Sequence, residues 1–256
     1  MSARVFTAFI PDALKWKLRK WVWMRLNPSW TLKSGLVIRV LNYNDWMIYN
    51  DIFVDGEYDV PLKRLLEKST PATARILDLG ANVGFFTLRV ADAFLQRGRS
   101  GFELLMIEGS PSTYAELLQR LSVNNDLLSG KIRALHGLAG ERSGEALIAE
   151  SPSHGENTIL SGSGGRKKRV PFIDLDQLVT DWNRIDLLKC DIEGAEELFL
   201  RNYASLCEKT DSAVFEFHHQ QCDIPECRRL LGKAGLTNHL LLREFGQYSV
   251  EFFWRD

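Results

Sequence analysis

The sequence has few cysteines, no strong excess of charge and no long apolar segment. Its four cysteines (Cys190, Cys207, Cys222 and Cys227) form no CxxC pair, so we expect reduced buried thiols rather than a zinc site or a disulfide framework. The formal net charge is −1, which argues against nucleic acid as a partner. The chain has neither an apolar run of membrane-spanning length nor the apolar core of a signal peptide near its start. We therefore expect a cytoplasmic protein.

The composition is that of an ordinary globular protein. The chain has 256 residues, of which 45% are hydrophobic and 25% are charged. This length suffices for one large α/β domain with an extension. We predict an N-terminal extension over residues 1–70 and a cofactor-binding domain over residues 71–256.

Residues 76–86 predict the first unit of an open α/β sheet. Ile76 to Leu79 form a short apolar run, Gly80 and Gly84 bracket a tight turn, and a helix is expected from Phe85. Sheets of this kind bind ligands at the carboxyl ends of their strands. Gly80 lets the backbone approach a ligand where a Cβ atom would clash. A purely structural turn remains the alternative, because the third glycine of the dinucleotide fingerprint is missing.

An acidic residue strengthens the cofactor interpretation. Residues 102–108 predict the next strand, and Glu108 closes it. A carboxylate at this position can accept hydrogen bonds from both hydroxyls of a ribose. The cofactor would then contain a nucleoside, and both NAD and S-adenosylmethionine fit this chemistry.

The remaining pattern predicts a seven-stranded, mostly parallel sheet with helices on both faces and a C-terminal antiparallel hairpin. Further strands are expected at 132–136, 185–190, 213–217, 240–243 and 248–254, and helices at 113–123, 195–206 and 224–234. A short hairpin is expected within 140–149, around Ser143 and Gly144.

The first part of the chain predicts two accessory features. Residues 36–41 and 46–53 are expected to be strands joined by a turn at 42–45, forming a roof over the cofactor pocket. Glu57 and Tyr58, which follow, would face either the ligands or the solvent. Residues 11–30 predict a basic, tryptophan-rich helix that either lies on an anionic membrane surface or packs on the domain.

Residues 151–169 are rich in glycine and serine and end in a basic run. This composition predicts a mobile loop. Its basic end would either meet an anionic substrate group or remain solvated.

Two motifs in this order resemble the FkbM-type family of S-adenosylmethionine-dependent methyltransferases. The first is Asp78-x-Gly80-Ala81-Asn82-x-Gly84, and the second runs from Asp191 through Glu193-Gly194-Ala195 to Glu196. Glu108 and the run Phe215-Glu216-Phe217-His218 add to the resemblance, which covers roughly residues 55–250. The family usually has proline directly after the acid of the second strand, whereas Gly109 and Ser110 intervene here. The resemblance implies a class I methyltransferase (Rossmann-like) fold and O-methylation of a small molecule or glycan, such as a sugar or polyketide-like compound.

The resemblance also implies which residues bind the cofactor. The Asp78, Gly80, Ala81, Asn82 and Gly84 turn would line the methionine part of S-adenosylmethionine. Glu108 would hold the ribose hydroxyls. The adenine would contact Leu138 and Ala139, which follow the third strand.

Three residues at neighbouring strand ends are the candidates for catalysis: Asp191, Glu216 and His218. A hydroxyl nucleophile must lose its proton, and His218 has the most suitable unperturbed pKa for a general base. Alternatively, Asp191 and Glu216 bind Mg²⁺, which would acidify the substrate hydroxyl. Glu193 has either a catalytic or a capping role, and Glu196 is expected to be structural.

Two other functions compete with methyl transfer. The glycine turn and Glu108 alone also fit an NAD-dependent oxidoreductase. A non-catalytic module that keeps the cofactor fold and docks on a membrane or partner is the second. A nucleic-acid methyltransferase is disfavoured, because no Asn/Asp-Pro-Pro-aromatic element follows the fourth core strand.

Overall fold

The structure is a computed structural model that describes residues 25–26, 28–68, 73–149 and 167–256. The elements of its first half are, in chain order, β1 (Ser29–Thr31), β2 (Val37–Arg39), α1 (Tyr43–Tyr49), a π-helical segment (Asn50–Val54), α2 (Asp59–Glu67), β3 (Ala74–Leu79), α3 (Phe85–Leu95), β4 (Phe102–Glu108), α4 (Pro111–Ser122), α5 (Asn125–Leu128), β5 (Ile132–His136) and β6 (Glu145–Ala149). The second half contains β7 (Lys167–Pro171), α6 (Leu175–Leu178), β8 (Leu187–Cys190), α7 (Glu196–Asn202), α8 (Ala204–Glu208), β9 (Ser212–His218), α9 (Ile224–Lys233), β10 (Asn238–Glu244) and β11 (Tyr248–Trp254).

Seven strands form the central sheet in the order β10-β11-β9-β8-β3-β4-β5. The pairs from β9 through β8, β3 and β4 to β5 are parallel, whereas β11 is antiparallel to both of its neighbours. The chain adds β4 and β5 on one side of β3 and later adds β8 on the other side, so the strand order switches between β3 and β8. Ligands bind open α/β sheets at such switch points. The predicted seven-stranded sheet with its C-terminal antiparallel pair is confirmed.

Both faces of the sheet are covered by helices, which explains why its central strands are apolar on both sides. Alternate side chains of β3 enter opposite cores: Ile76 packs on one face with α3 and α4, and Leu77 packs on the other with α7, α8 and α9. Asp78 departs from this apolar pattern, because it places a carboxyl group in the fully buried part of the strand. A buried carboxyl group must have polar partners, and these lie at the site described below.

The predicted strand over 46–53 is wrong, because this segment is helical. Asn42 caps α1 by accepting a hydrogen bond from the backbone N–H of Asp45 at 2.9 Å. The rings of Trp46 and Tyr49 stack at 5.8 Å, and those of Tyr49 and Phe53 stack at 5.0 Å. These aromatic residues recur at three- and four-residue spacing, which places them on one helical face. The strand partner of β2 is β1, and they form a small antiparallel pair of their own.

The predicted hairpin around Ser143 and Gly144 is also wrong. The strand β6 does form, but it pairs with β7, from Glu145 opposite Pro171 to Ala149 opposite Lys167. The basic end of the predicted loop therefore belongs to a strand, while residues 151–166 of that loop lie outside the described residues.

The predicted basic helix over 11–30 lies largely outside the described residues, so its membrane contact stays a prediction. Within the part of the chain that the structure describes, no helix has the length and apolarity needed to cross a bilayer.

The predicted division at residue 70, between an N-terminal extension and a cofactor-binding domain, also stays a prediction. Leu36, Ile38 and Ile52 pack into the same apolar core as α3.

Candidate active site

Two pockets meet at the carboxyl ends of the parallel strands. The first, which we call the donor pocket because the resemblance predicts the cofactor there, lies over the ends of β3, β4 and β8 and is lined by residues that include Gly80, Glu108, Leu138 and Ala139. The second, which we call the acceptor pocket because a substrate is expected beside the cofactor, lies under the segment 48–58 and reaches Glu216 and Tyr248. Asn82, Asp191 and Glu193 line both pockets. The two cavities are therefore neighbours with a shared wall.

The turn after β3 is packed too tightly for any residue but glycine at position 80. Gly80 has a φ of +73°, and a Cβ atom there would lie 1.6 Å from the carbonyl oxygen of Asp191. The backbone N–H groups of Gly80 and Ala81 both donate to the carbonyl oxygen of Ile107. The ends of β3, β4 and β8 are thereby locked against one another beside the donor pocket.

Glu108 lies at the end of β4 and its side chain faces the turn. Its carboxylate accepts hydrogen bonds from the backbone N–H groups of Asn82 at 2.8 Å and Ser110 at 2.7 Å. Burial nevertheless raises the pKa of Glu108 to about 7, because desolvation outweighs these two hydrogen bonds. Each carboxylate oxygen has a second lone pair, so Glu108 can still accept hydrogen bonds from a ligand.

A buried lysine, which the sequence analysis gave no role, organises the floor of the site. The ammonium group of Lys189 donates to the carbonyl oxygen of Gly80 at 2.6 Å and to Asp191 Oδ2 at 3.3 Å, and lies 3.6 Å from Asp78 Oδ1. Burial lowers the pKa of Lys189, but Asp191 and Asp78 outweigh burial and raise it. Asp78 also accepts from the hydroxyl of Thr87 at 3.0 Å. Lys189 therefore stays charged and holds both carboxylates.

The loop after β8 is shaped by Glu196. Its Oε1 atom accepts hydrogen bonds from the backbone N–H groups of Ile192 at 2.9 Å and Gly194 at 3.1 Å, and Oε2 accepts from the Cys222 thiol. These three hydrogen bonds fit the structural role expected for Glu196 from the sequence. Within the described residues, positive φ values at non-glycine positions occur only at Glu193 (+56°) and Asn82 (+50°). Such backbone strain clusters at functional sites, and here it falls on two residues that line both pockets.

His218 is surrounded by carboxylates at the end of β9. Its Nε2 atom lies 3.2 Å from Glu193 Oε2 and 3.7 Å from Glu216 Oε1, and Nδ1 lies 3.5 Å from Glu196 Oε1. Burial lowers the pKa of His218, but Glu193 and Glu196 outweigh it and raise the pKa to about 11. Burial and the charge of Asp191 raise the pKa of Glu216. The imidazole is therefore a cation at neutral pH, and the carboxyl group of Glu216 lies where further positive charge would stabilise its ionised form.

The acceptor pocket is roofed by the helical segment that the sequence analysis assigned to a strand. Asp51 and Glu57 line this roof, and both bind the guanidinium of Arg243 on β10, at 2.5 and 3.0 Å from Nη1. Tyr58 is almost completely buried in the same wall. Burial, with further contributions from Glu57 and Glu216, raises the pKa of Tyr58, so its hydroxyl stays protonated.

The predicted site residues divide into three groups. Gly80, Asn82, Glu108, Leu138, Ala139 and Asp191 line the donor pocket, and Ala81, Asn82, Asp191 and Glu216 line the acceptor pocket. Asp78 is buried beneath the turn, and Gly84 packs on α4, where a Cβ atom would lie 2.5 Å from Leu117. His218 lies behind Glu193 and Glu216.

Four residues of the site were not predicted from the sequence: Lys189, Asp51, Tyr248 and Arg243. Lys189 stands two residues before the second motif, and an isolated lysine in an otherwise apolar core strand was the signal available. The other three residues come from distant parts of the chain, and no local pattern indicates that they meet.

Ligand atoms of Asp191, Glu196 and His218 lie within 4.8 Å of one another, close enough to surround a metal ion. Glu196 suits this role poorly, because Ile192, Gly194 and Cys222 already use its oxygens. Asp191 Oδ1 is buried and has no hydrogen-bond partner among the described residues. Asp191 is therefore the carboxylate in this group that is best placed to bind a further ligand.

Comparison with known proteins identifies the class. Residues 78–240, more than half of the chain, match the methyltransferase FkbM domain. The chain therefore belongs to the FkbM methyltransferase family, and the predicted resemblance is confirmed. It is 26% identical over 213 residues to "Methyltransferase 1" of Beauveria bassiana, covering 74% of this chain and 80% of the relative. It is 29% identical over 182 residues to "Methyltransferase sdnD" of Sordaria araneosa, covering 58% and 65%.

Solved structures show the same fold. A methyltransferase FkbM from Methylobacillus flagellatus superposes with a TM-score of 0.54 at 14% identity, covering 95% of this chain. This chain spans 60% of the length of that protein. The METTL16 methyltransferase domain superposes with a TM-score of 0.50 at 10% identity, covering 96% and 92%. At these identities the likeness concerns the fold alone, which is that of class I methyltransferases.

Proposed function

We propose that the protein is an S-adenosylmethionine-dependent O-methyltransferase that acts on a hydroxyl group of a small molecule or glycan. The observation that supports this most directly is the wall of Asn82, Asp191 and Glu193 shared by the two pockets. A methyl donor in one pocket and an acceptor in the other would meet at this wall. Family membership supplies the reaction class, and the pockets supply the places for its two reactants.

The donor pocket fits S-adenosylmethionine. Glu108 would accept hydrogen bonds from the ribose hydroxyls through the lone pairs that Asn82 and Ser110 leave free. The adenine would lie among the apolar side chains of this pocket, which include Leu138, Ala139 and Ile148. The methionine part would lie along the turn from Gly80 to Asn82. Asp78 would act indirectly, by holding Lys189 under this turn.

S-adenosylmethionine supplies an electrophilic methyl group on a sulfonium. The protein must orient the acceptor hydroxyl and accept its proton. We assign proton acceptance to Asp191, because its Oδ1 atom has no hydrogen-bond partner in the described part of the chain while Lys189 holds Oδ2. Lys189 keeps this carboxylate pointing at the shared wall.

His218 and Glu216 would have supporting roles. With a pKa of about 11, His218 is already protonated at neutral pH and cannot serve as the general base. We propose that it orients Glu193 and Glu216 as a cation. Glu216, which lines the acceptor pocket, would bind the acceptor through its carboxyl group.

Alternatively, a hard cation such as Mg²⁺ bound by Asp191 and Glu216 would promote the loss of the proton from the acceptor hydroxyl. The Oδ1 atom of Asp191, for which the described residues provide no hydrogen-bond partner, favours it, since carboxylate oxygens are the ligands that Mg²⁺ prefers. The ion would lower the pKa of a bound hydroxyl group. Turnover that is abolished by chelation and restored by Mg²⁺ would favour this route over a metal-free one.

The proposed function is tested by incubating the protein with S-adenosylmethionine labelled in its methyl group and a panel of sugars and polyketide-like alcohols. We expect label in a hydroxyl-containing product. Asp191→Asn should lower turnover far more than it weakens donor binding, and the exposed Asp126→Asn is the control. Donor binding without transfer to any hydroxyl compound would favour a non-catalytic module. Equal losses of binding and turnover in Asp191→Asn would move Asp191 from the reaction centre to the donor site.

A further inference from the structure

The acceptor pocket is lined by more acids than cations. Among the described residues that line it, five carry carboxyl groups (Asp51, Glu57, Asp191, Glu193 and Glu216) and one, Lys189, carries a positive charge. Arg243 and His218 bind these acids from outside the lining. Three cations thus face five carboxyl groups, and the pocket retains an excess of acid.

The acids have different neighbours. Asp191 and Glu193 also line the donor pocket, where a sulfonium would lie close to them. Asp51, Glu57 and Glu216 line the acceptor pocket without lining the donor pocket. Asp51 and Glu57 share one guanidinium, and Glu216 lies 3.7 Å from an imidazole that Glu193 approaches more closely. Asp51 and Glu57 thus have one guanidinium between them, and Glu216 shares its imidazole, so these three acids keep negative charge that a cationic acceptor would neutralise.

Aromatic side chains line the pocket together with the acids and several aliphatic residues. They are Tyr58, Phe85, Phe86 and Tyr248. An ammonium group is attracted both by carboxylates and by aromatic rings. A carboxylate or phosphate group, in contrast, would be repelled by the acids of the same wall.

From this cavity we infer that the natural acceptor carries an ammonium group, held between Glu57 and Glu216 beside the tyrosines, together with the hydroxyl that is methylated. An amino sugar or another amino alcohol has this chemistry. The inference rests on the proposed function, because it assigns the substrate class of the same site. It excludes acceptors whose charge near the reacting hydroxyl is negative.

The test uses the protein saturated with S-adenosylhomocysteine. It is titrated with three probes that share a cyclohexane ring and differ in charge: cyclohexylammonium, cyclohexanol and cyclohexanecarboxylate. Ligand-observed NMR gives the dissociation constants. We expect the ammonium to bind about tenfold more tightly than the alcohol, and the carboxylate more weakly than either. Glu216→Gln and Glu57→Gln should each remove most of the preference for the cation. Glu103→Gln, at a half-exposed position of β4 paired with Arg75, should keep it.

Equal binding of ammonium and alcohol, no ammonium binding at millimolar concentration, or an unchanged preference in both Glu216→Gln and Glu57→Gln would overturn the inference. Circular dichroism of each variant establishes that it is folded. Saturation with S-adenosylhomocysteine is measured first, so that a failure of the proposed donor site can be distinguished from a failure of the proposed cationic acceptor. Loss of that binding overturns the donor site and this inference together, whereas intact binding without cation preference overturns the inference alone.

Discussion

Lys189 and Asp78 face each other across the pairing of β3 and β8, with the ammonium nitrogen 3.6 Å from Asp78 Oδ1. Both side chains are buried, and the same nitrogen reaches Asp191 and the carbonyl of Gly80. A single cation therefore connects the first motif with the second. Its removal would leave the buried carboxyl group of Asp78 without its charged partner.

We predict that Lys189→Met destabilises the protein by about 3 kcal/mol, the cost of removing one partner of a buried ion pair. The control is Lys63→Met, since Lys63 is exposed and lies 3.9 Å from Glu67 in a surface pair. This control should leave stability unchanged. Urea unfolding measures both variants, and equal midpoints would show that Lys189 is not structurally important.

We predict that Gly80→Ala prevents folding, whereas Gly98→Ala costs about 1 kcal/mol. Both glycines have positive φ values, +73° and +64°, so the backbone strain of an alanine is similar. At Gly98 the added Cβ atom meets nothing within 4 Å, while at Gly80 it overlaps the Asp191 carbonyl. The yield of soluble protein and thermal unfolding distinguish them. A folded Gly80→Ala as stable as Gly98→Ala would contradict the tight contact between β3 and β8.

We predict that the affinity for S-adenosylhomocysteine falls as the pH is lowered below about 7. The ionised form of Glu108, whose pKa is about 7, accepts ribose hydroxyls better than the protonated form. Binding should therefore be strongest above this pKa and weaken by up to about tenfold per pH unit below it. Calorimetry from pH 5.5 to 8 measures the effect.

The variant Glu108→Gln is the matched control for this pH dependence. It should bind more weakly than the wild type at high pH and lose the dependence near pH 7, since the amide does not titrate. The same dependence in wild type and variant would assign the titration to another group.

We predict that Asp45→Ala destabilises the protein much more than Glu116→Ala, although both acids bind Arg120. Asp45 and Arg120 are buried, and their contact attaches α1 to α4. Removing Asp45 takes away the closer and more buried of the two carboxylates that bind the Arg120 guanidinium, which should cost about 3 kcal/mol. Glu116 is 30% exposed and 3.5 Å from Arg120, so its loss should cost about 1 kcal/mol or less. Chemical denaturation compares them, and equal losses would remove the special role of the buried pair.

The core of the fold could be predicted from the sequence, because its strands are apolar runs that end in polar residues. The strands ending at Leu79, Glu108 and Cys190 lie where they were expected. The segment 46–53 was misassigned because its aromatic residues suit strands as well as helices. Tertiary contacts decide that this segment is helical: Asp45 pairs with Arg120, and the ring of Tyr49 packs edge-to-face on that of Phe85 at 6.3 Å.

The candidate site could be predicted only in part, for a related reason. Gly80, Glu108 and Asp191 stand at strand ends, so their proximity follows from the parallel sheet. Arg243 reaches Asp51 across 192 positions of the chain, and no local pattern indicates that contact. The suitability of His218 as a base could not be judged either, because Glu193 and Glu196 change its pKa only in the folded chain.

The most direct test of the account is calorimetric titration of the protein with S-adenosylhomocysteine and, separately, with NAD⁺, each with and without Mg²⁺. We predict micromolar binding of S-adenosylhomocysteine, no binding of NAD⁺, and loss of binding in Glu108→Ala with the fold intact. Binding of NAD⁺ in place of S-adenosylhomocysteine, or unchanged affinity in Glu108→Ala, would contradict the account.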